Sequence, residues 1–582
     1  MQELKYLNKY LFKYKWKLLL GIFITIVSRI FSLFTPKLVG NSMTLIEKST
    51  LDVDQVGGKL EILLLRNILI ILSASLISGF FTFLMRQTII NVSRLIEFDL
   101  KNEIFWHYQN LSQLFYVKNR TGDLMNRISE DVSKVRMYFG PAIMYSINTI
   151  TLFIIVISYM FSIAPKLTLY TIIPLPILSI MIFKLSQIIN IKSKKVQEIL
   201  SDLSSFTQEN FSGVSIIKSY NLIYNTNLKF HDLSLNAYKK NLSLAKVQAW
   251  FFPLMVLLIG ISNLIVIYIG GNQYINDEIE IGVVAEFIIY VNMLTWPVTI
   301  VGWVTSIIQQ AEASQKRINE FLNKKSKIIN GFKELKDLKG NIYFNRVSLT
   351  YNDTKIKALD KISFKVNYGE SLGILGKVGS GKTSILDLIA RVYDPNSGTI
   401  YIDNVELKTL NLNKLRSEIG YVPQNPFLFS ESISENIKFG KINSTLEEIK
   451  NASEKANVNI DIENFSKKYD TIIGERGLTL SGGQIQRISL ARALIRNPKI
   501  LLLDDCLSSV DIKTEKNILK NLKKFTNKKT TIIISHRISS IKHCDKIIVL
   551  KKGKIIEQGN HKSLNKNSGY YNKLFIKQNT EK

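Results

Sequence analysis

The sequence predicts an α-helical membrane domain with six transmembrane helices and long cytoplasmic extensions, followed by an α/β domain. Three observations carry that prediction. Stretches 68–85, 137–165, 167–183, 247–276 and 287–311 contain no Asp, Glu, Lys or Arg, and a sixth, 18–35, is broken only by Arg29. After about residue 340 the texture changes to short apolar strands, Gly-bearing turns and charged segments. Within that second half, "SLGILGKVGSGKTSILDLIARVY" (371–393) reads as a strand, a Gly-rich turn and a helix.

A spanning helix needs ~20 mostly apolar residues to cross ~30 Å of hydrocarbon. Several of the uncharged runs reach that length, and a soluble core helix has no need of the 29 uncharged residues of 137–165. Crossings are expected at about 16–39, 62–88, 134–162, 165–190, 245–272 and 281–311. Loop charge sets their direction. Segment 86–136 carries eight Lys/Arg and 184–246 carries nine, whereas "GNQYINDEIE" (271–280) has none. The positive-inside rule places both long basic segments and both termini in the cytoplasm. These segments are helical in pattern and have turn signals near Asn119–Gly122 and Gly213, which suits hairpins that contact the second domain.

Ahead of the first crossing, Leu4, Leu7, Leu11, Tyr14 and Leu18 recur at helical spacing with lysines between them. Residues 2–15 are therefore expected to lie as a helix at the inner membrane surface, not as a signal peptide. The membrane domain is expected over 1–325, a polar linker over 326–339 and the second domain over 340–582. No peptidase-like segment is expected before the interfacial helix.

The formal charge of +29 divides as 33 Lys/Arg against 21 Asp/Glu in residues 1–329, net +12, leaving +17 for the rest. In the first half the cations collect in the loops just described. In the second they are spread among Asn and Ile without an Arg–aromatic stripe, which argues against nucleic-acid binding. Cys506 and Cys544 have neither disulfide-framework nor metal-ligand spacing, so packing roles in a reducing compartment are expected.

The 371–393 stretch contains Gly376, Gly381, Lys382 and Thr383 in the phosphate-loop pattern, enclosing Lys377, Val378, Gly379 and Ser380 and followed by Ser384. Glycines let backbone N–H groups close on phosphates, and the helix N-terminus faces their charge. Lys382 would reach the terminal phosphates and Thr383 would hold Mg²⁺. A second anion-seeking helix start is "TLSGGQIQRISLARAL" (479–494). One nucleotide does not need two such devices from one chain. Ser481, Gly482, Gly483 and Gln484 are therefore expected to serve a nucleotide held by another subunit.

The ordered set "GKVGSGKT", "YVPQNPFLFS", "ERGLTLSGGQ", "ILLLDD", "SSVD" and "IIISHR" resembles the ATPase domain of ABC transporters. With six preceding spans, the whole chain resembles an exporter half-transporter of that superfamily. The resemblance implies ATP and Mg²⁺ as cofactors and a multi-pass location in the cell membrane. It implies that Tyr351 stacks on adenine, that Gln424 senses Mg²⁺ and the attacking water, and that Asp504 orders Mg²⁺. Asp511 would communicate across an ATPase dimer, and His536 would contact the γ-phosphate. Coupling helices would fall near 112–121 and 209–218, meeting "GERG" (474–477).

The family's general base is the glutamate that follows the Mg²⁺ aspartate; here that place holds Asp505. Its carboxylate is one methylene short, and misplacement on that scale can lower a rate by ~10²-fold. Nucleotide binding should survive while turnover suffers. An impaired site of its own beside a complete "LSGGQ" turn resembles the degenerate-site subunit of heterodimeric multidrug exporters, whose partner carries the glutamate. Retention of His536 departs from that pattern and leaves open a homodimeric lipid or peptide exporter. A membrane regulator that binds ATP without pumping is also left open. Expected partners are a second half-transporter, the lipid bilayer and an amphiphilic or lipid cargo. Arg29, Glu286, Trp296 and Trp303 are candidate cargo contacts or, alternatively, interfacial and packing residues. Bends are expected at Pro174, Pro176 and Pro297.

Overall fold

The computed structural model describes residues 3–51, 57–335, 337–351, 353–474 and 480–580. The chain forms two compact units: Met1–Asn110 with Arg120–Lys325, and Leu111–Asn119 with Ser326–Lys582.

The first unit is helical. Among the described residues five helical runs are long and apolar enough to cross a membrane: Lys15–Ser49, Leu60–Asn110, Thr121–Ile163, Ile223–Ile275 and Ile281–Leu322. The crossing expected at 165–190 is not among them. It is divided into Pro165–Ile172 and Pro174–Ser212, which meet at Ile173 with helical dihedrals (φ −51°, ψ −42°). Pro174 has no N–H to give to the preceding turn, so the hydrogen-bond ladder is interrupted where the sequence expected a bend. By contrast, the Ile281–Leu322 helix continues through Pro297.

The Gly57–Asn110 helix shows how pattern follows solvent. Leu72, Leu76, Phe80 and Phe83 are exposed, as suits a face turned to lipid. Further along, Ile89, Val92, Ile96, Leu100 and Ile104 are buried at spacings of three and four, the stripe of an amphipathic helix. The N-terminal segment packs against this extension: Leu4, Leu7 and Tyr10 are buried, Lys9 pairs with Glu103 at 2.7 Å, and Lys13 pairs with Asp99 at 2.6 Å. Phe12 and Trp16 are exposed on the same segment.

Elsewhere in this unit the Phe34–Leu51 and Ile281–Leu322 helices meet backbone to backbone. A Cβ added to Gly282 would lie 2.1 Å from the Gly40 carbonyl oxygen, and the Gly282 N–H donates to Thr44 Oγ1 at 3.2 Å. Small residues allow such close approach where lipid gives no hydrophobic drive to helix association. Glu286, one turn on, is buried and accepts a 2.8 Å hydrogen bond from Tyr290. Arg29 donates to Asn148 Oδ1 at 2.6 Å, and Trp303 packs edge-on against Tyr145. Both intramembrane charges therefore have protein partners.

In the second unit a four-stranded antiparallel sheet has the order β2(Lys357–Val366), β1(Ile342–Thr350), β4(Ser397–Ile402), β5(Val405–Glu406). A six-stranded sheet runs β10(Lys554–Gly559), β9(Lys546–Lys551), β3(Ser371–Gly376), β8(Thr530–Ile534), β7(Ile500–Asp504), β6(Ile419–Val422). All pairs in the larger sheet are parallel except β10 with β9. A strand covered on both faces reads as an unbroken apolar run. "ILLL" of β7 does so, with Leu501 and Leu503 in one core and Ile500 and Leu502 in another.

Candidate nucleotide site

Parallel strands deliver their C-terminal ends to one edge of the sheet, which is where ligands bind in open α/β folds. At this edge β3 runs into the phosphate loop, β7 ends in Asp504 and β8 leads to His536. The order β3-β8-β7 sets these three ends side by side.

The loop between β3 and the Lys382–Ile389 helix has the backbone its glycines require. Gly381 caps that helix at φ 96°, in the left-handed region, and a Cβ there would lie 2.2 Å from the Ala358 carbonyl oxygen. Lys382 is buried and its ammonium donates to the Gly376 and Lys377 carbonyls at 2.9 Å each. Burial lowers its pKa, while the charges of Asp505 and Asp504 act in the opposite sense. Ser380 Oγ is buried without a hydrogen-bond partner among the described residues.

Asp504 is also buried, which raises its pKa, and a hydrogen bond from Thr383 works against that rise. Its Oδ2 has no hydrogen-bond partner among the described residues. A buried polar atom left unpaired is unfavourable unless a ligand completes it. A carboxylate oxygen without a partner, next to a threonine hydroxyl, suits a magnesium ion with its waters, as oxygen donors suit that ion. Asp505 follows at φ 44°, its N–H donating to the Ile534 carbonyl at 3.0 Å. Its Oδ2 lies 4.0 Å from His536 Nε2.

Tyr351, just beyond β1, shares a 2.9 Å hydrogen bond with Ser384 and packs edge-on against Tyr393. Gln424 is exposed two residues past β6. The structure thus gathers the phosphate loop, Thr383, Asp504, Asp505 and His536, with Tyr351 against the first turn of the loop's helix.

The "LSGGQ" turn has other contacts. Ser481 caps the Gly482–Ile495 helix in a reciprocal box with Gln484, whose amide also donates to Asp461 at 3.2 Å. Gln486 donates to Ser508 Oγ and accepts from the Ser509 N–H, both at 3.2 Å. Among the described residues, the hydrogen bonds of 481–486 run within their own helix, to Asp461 and to the 508–509 segment, not to the phosphate loop. Asp511 caps the Ile512–Phe525 helix through the Lys513 and Thr514 N–H groups, which hold its carboxyl below the usual range. Of "GERG", residues 475–477 lie outside the described residues.

Two regions match family models. Residues 18–298 match the ABC transporter transmembrane region, and residues 359–508 match the ABC transporter model. MdlA, a multidrug resistance-like ATP-binding protein of Buchnera aphidicola (Schizaphis graminum), is 35% identical over 97% of each chain. The chain belongs to the ABC transporter family. YheI of Bacillus subtilis, a probable multidrug resistance ABC transporter ATP-binding/permease protein, is 34% identical over 97% of this chain and 96% of its own. A bacterial Atm1-family ABC exporter solved with ATP bound superposes with a TM-score of 0.79 at 22% identity, covering 97% of this chain and 99% of that one. This ABC transporter is therefore a membrane protein with a fused ATPase domain and an exporter-type fold.

Sequence reasoning passed over four residues near the site. Asp387 sits one helical turn beyond Thr383, accepts a 3.2 Å hydrogen bond from Tyr421, and is pushed by burial to a pKa of about 6. The others are Gln486, Arg537 and Gln578. Asp387, Gln486 and Arg537 lie inside motif-bearing stretches, Arg537 as the last residue of "IIISHR"; nothing in the spacing singles out Gln578.

Proposed function

We propose that this chain is one half of an ATP-driven exporter that moves amphiphilic drugs or lipids across the cell membrane, and that it is the degenerate-site subunit of a heterodimer. The names of the MdlA and YheI relatives support the cargo class. The observation that carries the heterodimer reading is Asp505 at the base position, beside an intact phosphate loop and a complete capping box at Ser481.

In this reading Gly376–Ser384 cradle the phosphates and Lys382 contacts the terminal ones. Tyr351 stacks on adenine, and Thr383, Asp504 and Gln424 hold Mg²⁺ with its waters. Bound there, Mg²⁺ neutralises charge on the β- and γ-phosphates. His536 contacts the γ-phosphate. Ser481, Gly482, Gly483 and Gln484 complete the partner's nucleotide site, and Asp511 faces the partner. ATP binding closes the paired ATPase domains. Hydrolysis, mainly at the partner's glutamate-bearing site, resets them.

The retained His536, 4.0 Å from Asp505, favours a second reading, a homodimer in which the Asp505–His536 pair hydrolyses slowly. ATP turnover per bound ATP, measured on the purified chain in lipid with Asp505→Glu alongside, decides between them. Binding with scarcely any turnover, restored ~10²-fold by the substitution, supports the degenerate-site subunit. Brisk hydrolysis by the unaltered chain alone ends that reading.

A further inference from the structure

The segment that carries His536 is held from two sides. On one side Arg537 reaches across to the loop after β7 and the helix beyond it: its guanidinium donates to the Ser508 carbonyl at 3.1 Å and pairs with the buried Glu515 of the Ile512–Phe525 helix at 3.0 Å. Glu515 also accepts from Ser540 at 2.5 Å, so the ion pair is anchored at both ends.

On the other side stands Gln578, 42 residues further along the chain, in the Tyr570–Thr580 helix. Its Nε2 donates to the His536 carbonyl at 2.9 Å, and its Oε1 accepts from the Ile538 N–H at 2.9 Å. One primary amide thus spans the residues on both sides of Arg537, and the donor and acceptor it meets fix which way round it lies. Arg537 itself has extended dihedrals at the start of the Ile538–Ile541 helix. There the His536 carbonyl and the Ile538 N–H have no sheet partner among the described residues. The helix that presents Gln578 is held by apolar contacts: Tyr571 is fully buried with Ile538, Ile541, Leu564 and Val549, and Leu574 and Phe575 pack on the same cluster.

We propose that Gln578 is a positioning residue for the γ-phosphate site: it fixes the peptide groups flanking Arg537 and thereby aims the His536 imidazole. Gln578 acts through His536 and does not touch nucleotide. The proposal rests on the assignment of His536 to the γ-phosphate, and the variants separate the two. A positioning role must appear as lost discrimination between ATP and ADP, because only ATP offers the γ-phosphate. A merely structural role would weaken both nucleotides alike or lower thermal stability.

The test measures ATP and ADP affinities of the full-length chain in lipid nanodiscs with Mg²⁺, for the native protein, Gln578→Met, His536→Ala and the double variant. Methionine keeps the unbranched stem and removes both hydrogen bonds. Gln578→Met is expected to weaken ATP binding about tenfold, leave ADP within twofold, and add little once His536→Ala is present, the non-additivity of residues acting through one contact. Asn579→Ala, an exposed neighbour on the same helix, should leave both affinities unchanged. An unchanged ATP/ADP ratio in Gln578→Met, or equal weakening of both nucleotides, overturns the proposal, as does full additivity with His536→Ala. If His536→Ala itself leaves the ratio unchanged, the γ-phosphate assignment fails and the positioning role falls with it.

Discussion

Asp505 Oδ2 and His536 Nε2 stand 4.0 Å apart across the ends of two neighbouring strands. Strand register produces this meeting: Asp504 pairs with Ile534, and the Asp505 N–H extends the ladder to the Ile534 carbonyl. Asp505 then turns into the left-handed region at φ 44°. A short polar side chain tolerates that region better than most, asparagine and aspartate being enriched there.

Asp505→Asn should therefore keep the fold while removing the charge that faces His536. The melting temperature is expected to change little, since asparagine keeps the size of this buried side chain and its tolerance of the left-handed region. ATP affinity should hold and residual hydrolysis should fall about a hundredfold, the lower end of the ~10²–10⁴-fold worth of a positioned carboxylate. Thermal unfolding and a single-turnover assay on the same preparation check both halves.

Asp387 gives the ATPase unit a stability that depends on pH. Burial raises its pKa from the ordinary 3.8 to about 6, so between those values the folded state binds a proton that the unfolded state has lost. Stability from this group therefore falls as pH rises through that window and is level above it. A shift of about two units corresponds to about 3 kcal/mol at most, reduced by the loss of the Tyr421 hydrogen bond when the carboxylate is replaced. Asp387→Asn should raise the melting temperature at pH 7–8 and have little effect near pH 4. A pH series of unfolding midpoints in which the two curves stay parallel would count against the burial of this carboxylate.

Gly282→Ala should strain the first unit. The added methyl would lie 2.1 Å from the Gly40 carbonyl oxygen and 2.4 Å from Thr44 Oγ1, distances no real Cβ keeps, so two helices must part. Overpacking of this kind costs about 1–3 kcal/mol. Lower thermal stability in detergent with unchanged nucleotide affinity is the expected pair of results.

Gln486 links the helix that opens with "SGGQ" to the loop after β7 and is buried at the junction. Its replacement by alanine removes the acceptor of the exposed Ser509 N–H, a hydrogen bond worth about 0.5–1.5 kcal/mol net. A lower unfolding midpoint is expected. Gln486→Glu should soften the loss, because a carboxylate oxygen can still accept from Ser509. Differential scanning of the two variants against the native chain measures this.

Much of the site was legible as motif. Gly381, Lys382, Thr383 and Asp504 carry geometry with their identities: a left-handed turn, a long cation, a hydroxyl, and a carboxylate ending an apolar strand. The fourth crossing was legible in length and in the place of its interruption, because the missing N–H of Pro174 is written in the residue itself. Glu286 was legible as a costly charge, yet only packing could show that Tyr290 satisfies it.

The sequence alone determined which segments are apolar long enough to span a bilayer, where the soluble fold begins, and which loop can close on phosphate. Those properties reside in local composition and spacing, and the physics behind them acts over a few turns of chain. Tertiary structure alone decided that β3 and β7, far apart along the chain, would end at one edge of the sheet on either side of β8, setting Lys382 within electrostatic reach of Asp505, and that Gln578 would grip the backbone around Arg537. A hydrogen bond between distant residues depends on where packing leaves a donor and an acceptor unpaired, and no single stretch of sequence carries that information.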